Sequence, residues 1–248
     1  MNLFTNFLIV LFNILITFLT TINTLIDLHT GRLSRDRIDK RFVWWSKKLL
    51  FSADIQYSVF GQNNFKIKKD KKYIIMCNHT SLYDIPLAVL SIKASIRMLV
   101  KKELMQVPVW GKAMRVSDFV SIDRKNYRNA VQDLKKAEEV MKKGIILWIS
   151  PEGTRSKNGN LQPFKRGGFK LAMEMDAQII PMGIRGCEKI MPARSLQIKR
   201  GQHVEIHFGQ PIEASNYNNQ TRKELITLVE KEIRQLSGQY VQHSHNVT

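Results

Sequence analysis

The run Asn78-His79-Thr80-Ser81-Leu82-Tyr83-Asp84 sets an imidazole five residues ahead of a carboxylate. On one helix that spacing turns the two side chains about 140° apart, so contact needs His79 in a loop and Asp84 in the first turn of a following helix. A carboxylate on one ring nitrogen would fix the tautomer and leave the other nitrogen free to take a proton from a substrate hydroxyl. The same residues fit a structural role: Ser81 as helix N-cap, Asp84 as its capping-box-like partner, Pro86 in the early turn. Taken alone, the pair supports both readings equally. Ser81 does not complete a serine-hydrolase triad, because no G-x-S-x-G elbow surrounds it and the near-adjacent spacing is wrong for that geometry. His29, His203, His207, His243 and His245 show no ligand spacing with nearby cysteines, so no metal site is expected. Lys165-Arg166-Gly167-Gly168 before a helix could cradle a phosphate with backbone amides, but it is not a complete P-loop.

The elements that must position these residues are legible as short apolar runs alternating with helical stretches from about Lys72 onward, the pattern of an α/β fold with a mixed, largely parallel sheet flanked by helices. Candidate strands are Tyr73 to Cys77, Arg97 to Val100, Phe119 to Ile122, Ile145 to Ile149, Gln178 to Ile184 and Val204 to Phe208. His79 then falls where a strand ends and a helix begins, the usual address of α/β sites. A helix from Asn129 to Lys143 stops at Gly144. Thr221 and Glu224 form a capping-box pair for a last helix that ends at Gly238. The expected organisation is residues 1–55 as membrane-associating helices, 56–238 as the α/β domain and 239–248 as a polar tail.

The 248 residues, 44% hydrophobic, suffice for one such domain and a proper core. Thirty-nine Lys and Arg against 21 acidic residues give a formal net charge of +18, which favours an anionic partner: nucleic acid, phospholipid headgroups or a phosphorylated substrate. Two cysteines, Cys77 and Cys187, exclude a disulfide framework and read as buried hydrophobes in a reducing compartment. No charge occurs from Leu3 to Ile26, a segment of membrane scale that lacks the basic start and cleavage site of a secretory signal and is expected to be retained. Yet Asn6, Asn13, Thr17, Thr20, Thr24 and Asp27 stack into one polar stripe. The helix therefore lies in the membrane interface, buries its stripe against a neighbour, or is a plain single-pass anchor. Ile38, Phe42, Trp45 and Leu49 then share a helical face, with Arg37, Lys40, Arg41, Lys47 and Lys48 largely elsewhere, which suits either an anionic lipid surface or an amphipathic helix packed on the domain.

Asn78 to Asp84 resembles the N-H-x-S-x-x-D block of the 1-acylglycerol-3-phosphate acyltransferases. Three more blocks follow in the family's order. Phe119-Val120-Ser121-Ile122-Asp123-Arg124 is similar to its strand ending in Asp-Arg, Ser150-Pro151-Glu152-Gly153-Thr154-Arg155-Ser156 to its P-E-G-T-R-S signature, and Ile179 to Ile184 to its more degenerate fourth block. Lys101-Lys102-Glu103-Leu104 with Pro108 and Gly111 resembles the linking segment, so the likeness spans roughly residues 72 to 186. It implies an enzyme that moves a fatty acyl group from acyl-CoA or acyl carrier protein to the free sn-2 hydroxyl of 1-acylglycerol 3-phosphate, giving phosphatidate. No bound cofactor is implied; the thioester is a co-substrate.

By this resemblance His79 and Asp84 are the catalytic dyad, and Arg124, Glu152, Gly153, Thr154 and Arg155 are the acceptor-binding positions. Their chemistry fits a phosphomonoester on glycerol. An arginine fork pairs with phosphate oxygens, a glycine lets backbone approach, a threonine can donate, and a glutamate can accept from a hydroxyl or steady an arginine. The alternative for Pro151 to Arg155 is a tight surface turn with an internal ion pair. Lys101 and Lys102 add positive field or are solvated charges. Oxyanion donors stay unassigned. The expected partners are a lysophospholipid, an acyl thioester and an anionic membrane surface, with no specific nucleic acid; basic residues after the first segment place the body on the cytoplasmic face, at the inner membrane if bacterial. Competing readings are acylation of another lysolipid or of glycerol 3-phosphate, and a non-catalytic basic protein that binds anionic lipid or nucleic acid.

Overall fold

The computed structural model describes residues 2–122 and 127–239, with side chains outside 122–131. In chain order the elements are α1 (Leu3–His29), α2 (Arg35–Ser52), β1 (Gln56–Phe60), β2 (Tyr73–Cys77), α3 (Asp84–Ser91), β3 (Ile96–Lys101), α4 (Lys102–Met105), α5 (Trp110–Val116), β4 (Val120–Ile122), α6 (Tyr127–Lys142), β5 (Ile146–Ile149), α7 (Arg166–Glu174), β6 (Gln178–Arg185), β7 (His203–Phe208), β8 (Ile212–Glu213) and α8 (Arg222–Leu236).

The strands form one sheet in the order β1-β7-β6-β2-β5-β3-β4, with β8 beside β6. Strands β6, β2, β5, β3 and β4 run parallel, β7 and β8 are antiparallel to β6, and β1 is parallel to β7. The mixed, largely parallel sheet expected from the alternating pattern is what forms. Central strands buried on both faces need apolar residues at every position, which Tyr73-Ile74-Ile75-Met76-Cys77 supplies without exception. Alternate side chains then serve two cores. Ile75, Cys77, Trp148 and Ile180 pack toward α1, α2 and α3, while Ile74, Met76, Leu147 and Ile179 pack toward α6, α7 and α8.

The stripe on α1 is buried against its neighbours. Asn13 donates to the Tyr83 hydroxyl at 3.0 Å and accepts from Ser52 at 2.7 Å; Thr17 accepts from the Trp45 indole at 3.0 Å. Asn6 pairs with the backbone of Leu196 and Ile198, and Asp27 takes Arg37 and Arg41 of α2. Ile9 of α1 and Leu49, Leu50 and Ala53 at the end of α2 enter the same apolar cluster as the sheet. The opposite face of α1 presents Leu3, Phe4, Phe7, Leu8, Leu11, Ile14, Leu15 and Phe18 to the outside.

Two local expectations change, and one strand carries no signature in the sequence. Thr221 does not cap α8, because Asn218 engages it: the Asn218 amide N–H donates to its hydroxyl, and the Asn218 side-chain oxygen accepts its backbone N–H. Ser81 does not cap α3 either; Tyr83 holds the N-cap position with no side-chain cap. Strand β1 went unread, since its exposed, polar-leaning Gln56-Tyr57-Ser58 start lacks the apolar continuity of the central strands. The polar tail beyond Gln239 lies outside the described residues.

Candidate active site

The carboxyl ends of β2, β5 and β3 lie on one edge of the sheet, because the three are parallel and in register. His79 emerges there two residues after β2, and Ser150 to Arg155 emerge just after β5. The Asn78 side chain splices the first loop onto β6, donating to Ile184 O at 2.9 Å and accepting from Ile184 N at 2.8 Å. From that anchor the backbone turns and α3 begins at Asp84.

Asp84 is fully buried, and one of its oxygens does triple duty. Oδ2 accepts from His79 Nδ1 at 2.8 Å, from Thr80 N at 2.7 Å and from Ser81 N at 2.9 Å. The carboxylate therefore fixes both the ring and the loop that carries it, and Nδ1 as donor leaves Nε2 as the basic nitrogen. The functional and capping readings of Asp84 merge here: it satisfies the orphan amides ahead of α3 from within the helix and orients the imidazole with the same atom. Trp148 meets the His79 ring edge-to-face, with centroids 5.6 Å apart and planes at 85°, and closes one side of it. The ring retains 15% exposure, enough to be reached.

Glu152 lies inside rather than on the surface. Its Oε1 accepts from His79 N at 2.8 Å and its Oε2 from Gln162 N at 2.8 Å. Burial pushes its carboxyl up from the ordinary value, against the pull of those two amides. Ser156 N donates to His79 O at 2.7 Å, so both backbone groups of His79 are tied to the Pro151 to Ser156 loop. Gly153 turns that loop with φ +74°, a conformation open to glycine. Thr154 is exposed and Arg155 half-buried, and Arg155 Nη1 is buried with no hydrogen-bond partner among the described residues. A buried guanidinium N–H without an acceptor has capacity left for an anionic oxygen. Lys101 is exposed at the end of β3, with Lys102 opening α4. Asp123 and Arg124 lie outside the described residues, just past β4. Lys165 and Arg166 open α7, and Gly168 there packs against Ile149 of β5.

Asn78, Trp148 and Ser156 complete the site without having been assigned a part from sequence. Asn78 and Ser156 stood inside recognised blocks but their partners are distant in the chain, and Trp148 read as one more core residue of a strand. Burial raises the thiols of Cys77 and Cys187 well above their ordinary 9.0, which keeps both protonated and unreactive near neutral pH.

A cavity of about 170 Å³ lies between α1, α2, α5 and the sheet; neither His79 nor Asp84 lines it, and Ile85, the next residue of α3, is its link to the dyad. Its walls are largely apolar, with Phe42, Trp45, Ile85, Met98, Trp110 and Phe119 among them. The threonines of α1 that reach it, Thr17, Thr20, Thr21 and Thr24, bond their hydroxyls back to helix carbonyls four residues earlier.

Fold and site together define an α/β protein that sets an oriented imidazole beside an arginine-bearing loop at the strand ends. The family profile described as acyltransferase matches residues 58–185, and the chain belongs to that family. Among curated relatives it is 33% identical over 191 residues to a chloroplastic 1-acyl-sn-glycerol-3-phosphate acyltransferase of Brassica napus, covering 75% of this chain and 55% of that one. It is 26% identical over 184 residues to the 1-acyl-sn-glycerol-3-phosphate acyltransferase of Borreliella burgdorferi, covering 74% and 72%. The chain spans about half the length of the plant relatives it matches. The crystal structure of the 1-acyl-sn-glycerophosphate (LPA) acyltransferase PlsC from Thermotoga maritima shares the fold, with a TM-score of 0.76 over 94% of this chain and 95% of that one at 24% identity.

Proposed function

We propose that this protein transfers a fatty acyl group from the thioester of CoA or acyl carrier protein to the free sn-2 hydroxyl of 1-acylglycerol 3-phosphate, giving phosphatidate. The observation that carries the reading is the His79 ring, held by a buried Asp84 through Nδ1 at 2.8 Å while its backbone is tied to the arginine-bearing loop. His79 Nε2 takes the hydroxyl proton as the oxygen attacks the thioester carbonyl. The tetrahedral intermediate collapses, the C–S bond breaks, and the departing sulfur receives the proton from the imidazolium. Thiolates leave readily, so the alcohol is the group that most needs help. With both thiols buried and protonated, direct transfer is favoured over a cysteine acyl-enzyme.

Arg155, with Arg124 outside the described residues, receives the phosphoryl end, and Gly153 and Thr154 line its approach. Lys101 and Lys102 supply positive field. We assign Glu152 the task of bracing the two loops against each other, since both of its oxygens are occupied by backbone amides. The apolar cavity beside Ile85 accepts an acyl chain.

Among the described residues α1 is the one helix long and apolar enough to cross a membrane by length and composition. The domain satisfies its polar stripe, and its outward face is almost wholly apolar, which favours a helix lying in one leaflet over one that spans. On this reading residues 1–55 hold the 56–238 body to an anionic, cytoplasm-facing surface. The test is direct: purified full-length protein in detergent, lysophosphatidate, and acyl-CoA or acyl carrier protein thioester, with phosphatidate and free thiol measured together. Equal yields of both are expected, and His79→Ala abolishes them while the fold persists. Absence of transfer with every donor, or full activity in His79→Ala, overturns the reading.

A further inference from the structure

Between α4 and α5 the chain makes a turn whose backbone is strained at a β-branched residue. Val109 has φ 65° and ψ −61°, and Trp110 N donates to Pro108 O at 2.6 Å. Those values define a γ-turn of the rare, strained hand. Val is among the residues least suited to positive φ. The surroundings hold the turn in place. Gly111 N donates to Val107 O at 2.8 Å, and a Cβ on Gly111 would sit 2.1 Å from Met105 O, so α5 must start hard against the end of α4. The Arg115 guanidinium bonds the same carbonyl.

The side chains that this strain displays are apolar and face outward. Val107, Val109 and Trp110 are 41%, 45% and 37% exposed. Trp110 also walls the cavity, together with Thr17, Thr20, Thr21 and Thr24 of α1, and α5 packs against α1. Through α5 the turn therefore neighbours α1, and through Trp110 it borders the cavity. Backbone strain that exposes hydrophobic groups next to a cavity wall points to a task outside the protein's own core.

We propose that the Val107 to Trp110 turn is a second lipid-contacting element, entering the hydrocarbon edge of the bilayer beside α1 and forming the portal through which an acyl chain reaches the cavity. The proposal rests on the reading of the chain as an acyltransferase at a bilayer surface. Trp110 is the wall shared by membrane and cavity, and Val107 and Val109 keep the mouth in hydrocarbon, so a chain can enter without crossing water.

Both native cysteines are fully buried, so a cysteine placed on the surface takes a polarity-sensitive fluorophore selectively. Full-length Val109→Cys, Leu11→Cys on α1 and Lys231→Cys on α8 are labelled and mixed with vesicles of phosphatidylcholine and a minority of phosphatidylglycerol carrying acyl-chain spin labels. Emission from positions 109 and 11 is expected to shift blue and be quenched, with 231 unaffected. A water-like signal at 109 beside quenching at 11 overturns insertion of the turn. The portal is tested with Val107→Asp, and with Val109→Gly, which removes the side chain and relieves the turn. Each should lower kcat/KM roughly tenfold for long-chain acceptor in vesicles and leave a water-soluble short-chain acceptor unchanged. Equal losses for both acceptors overturn the portal. Wild-type protein inactive on both would instead defeat the acyltransferase reading, and the portal with it, while the quenching would still decide insertion.

Discussion

Asp27 and Asp84 are both carboxylates drawn out of water by a bridge between two parts of the chain, yet they end in opposite chemistry. Asp27, at the end of α1, gives one oxygen to Arg37 at 2.9 Å and the other to Arg41 at 2.5 Å. Each partner is a permanent cation, so the bridge joins helix to helix and leaves nothing able to exchange a proton near neutral pH. Asp84 spends one oxygen on an imidazole and two amides. Its ring partner keeps a second nitrogen in reserve. On the proposed mechanism, what separates a fastening from a catalytic pair is the unused capacity of the partner rather than the burial of the acid.

Asp84→Asn is the strongest way to test that distinction. Because one carboxylate oxygen serves all three donors, an asparagine oxygen in that place keeps Thr80 and Ser81 but lacks the charge that steadies an imidazolium, whereas the flipped amide donates to Nδ1, favours the wrong tautomer and faces both N–H groups. Turnover should fall on the order of 10³ to 10⁴-fold, the size seen when an orienting aspartate is made an amide elsewhere, with little change in thermal midpoint. A variant that keeps near-normal kcat would place Asp84 with Asp27 as a fastening. Arg155→Ala comes next. Loss of a charged hydrogen bond to phosphate, about 1.5–3 kcal/mol, should raise the acceptor KM roughly tenfold to a hundredfold with kcat largely held. An unchanged KM would move the phosphoryl contact to another residue.

Glu152 falls between the two aspartates: it touches the proposed base, His79, but only its backbone. Glu152→Gln turns one accepting oxygen into a donor facing an amide N–H, a conflict worth about 1–3 kcal/mol. We expect kcat to fall roughly tenfold while the acceptor KM holds, because the brace positions His79 without meeting substrate. A rise in KM alone would reassign Glu152 to acceptor contact.

The sequence made some of these parts plain and hid others for definite reasons. Strand β2 was legible to the residue because a strand buried on both faces must be uniformly apolar, and the His79 to Asp84 contact because a loop followed by a first helical turn is the arrangement that lets a five-residue spacing close. Strand β1 stayed hidden because an edge strand with Gln56 and Ser58 outward has no such continuity. The Thr221 cap failed because Asn218 competes for the same groups, a local rivalry that a four-residue pattern does not register. Glu152 as a brace was illegible in principle: its partners are backbone amides at His79 and Gln162, which carry no side-chain signature. The stripe on α1 left three outcomes open, an interfacial helix, burial against a neighbour or a plain anchor, because its partners Tyr83, Trp45 and Ser52 lie far along the chain.

Asp27→Asn gives the smallest effect and the most specific contrast. Arg41, hydrogen-bonded to it, and then Arg37 hold the Asp27 carboxyl below its ordinary 3.8. A carboxyl depressed on folding adds stability that is fully present above its unfolded value and is lost as pH falls through the lower, folded one. The wild-type protein should therefore melt higher than Asp27→Asn in the same detergent, with a constant gap above about pH 5 that narrows as the solution passes below 3.8. Turnover per folded molecule should be the same in both, since the α1–α2 fastening touches neither the ring nor the arginine loop. A gap that persists unchanged in acid would mean Asp27 acts through packing rather than charge. A fall in kcat would mean the fastening reaches the site, and the line drawn between the two aspartates would have to be moved.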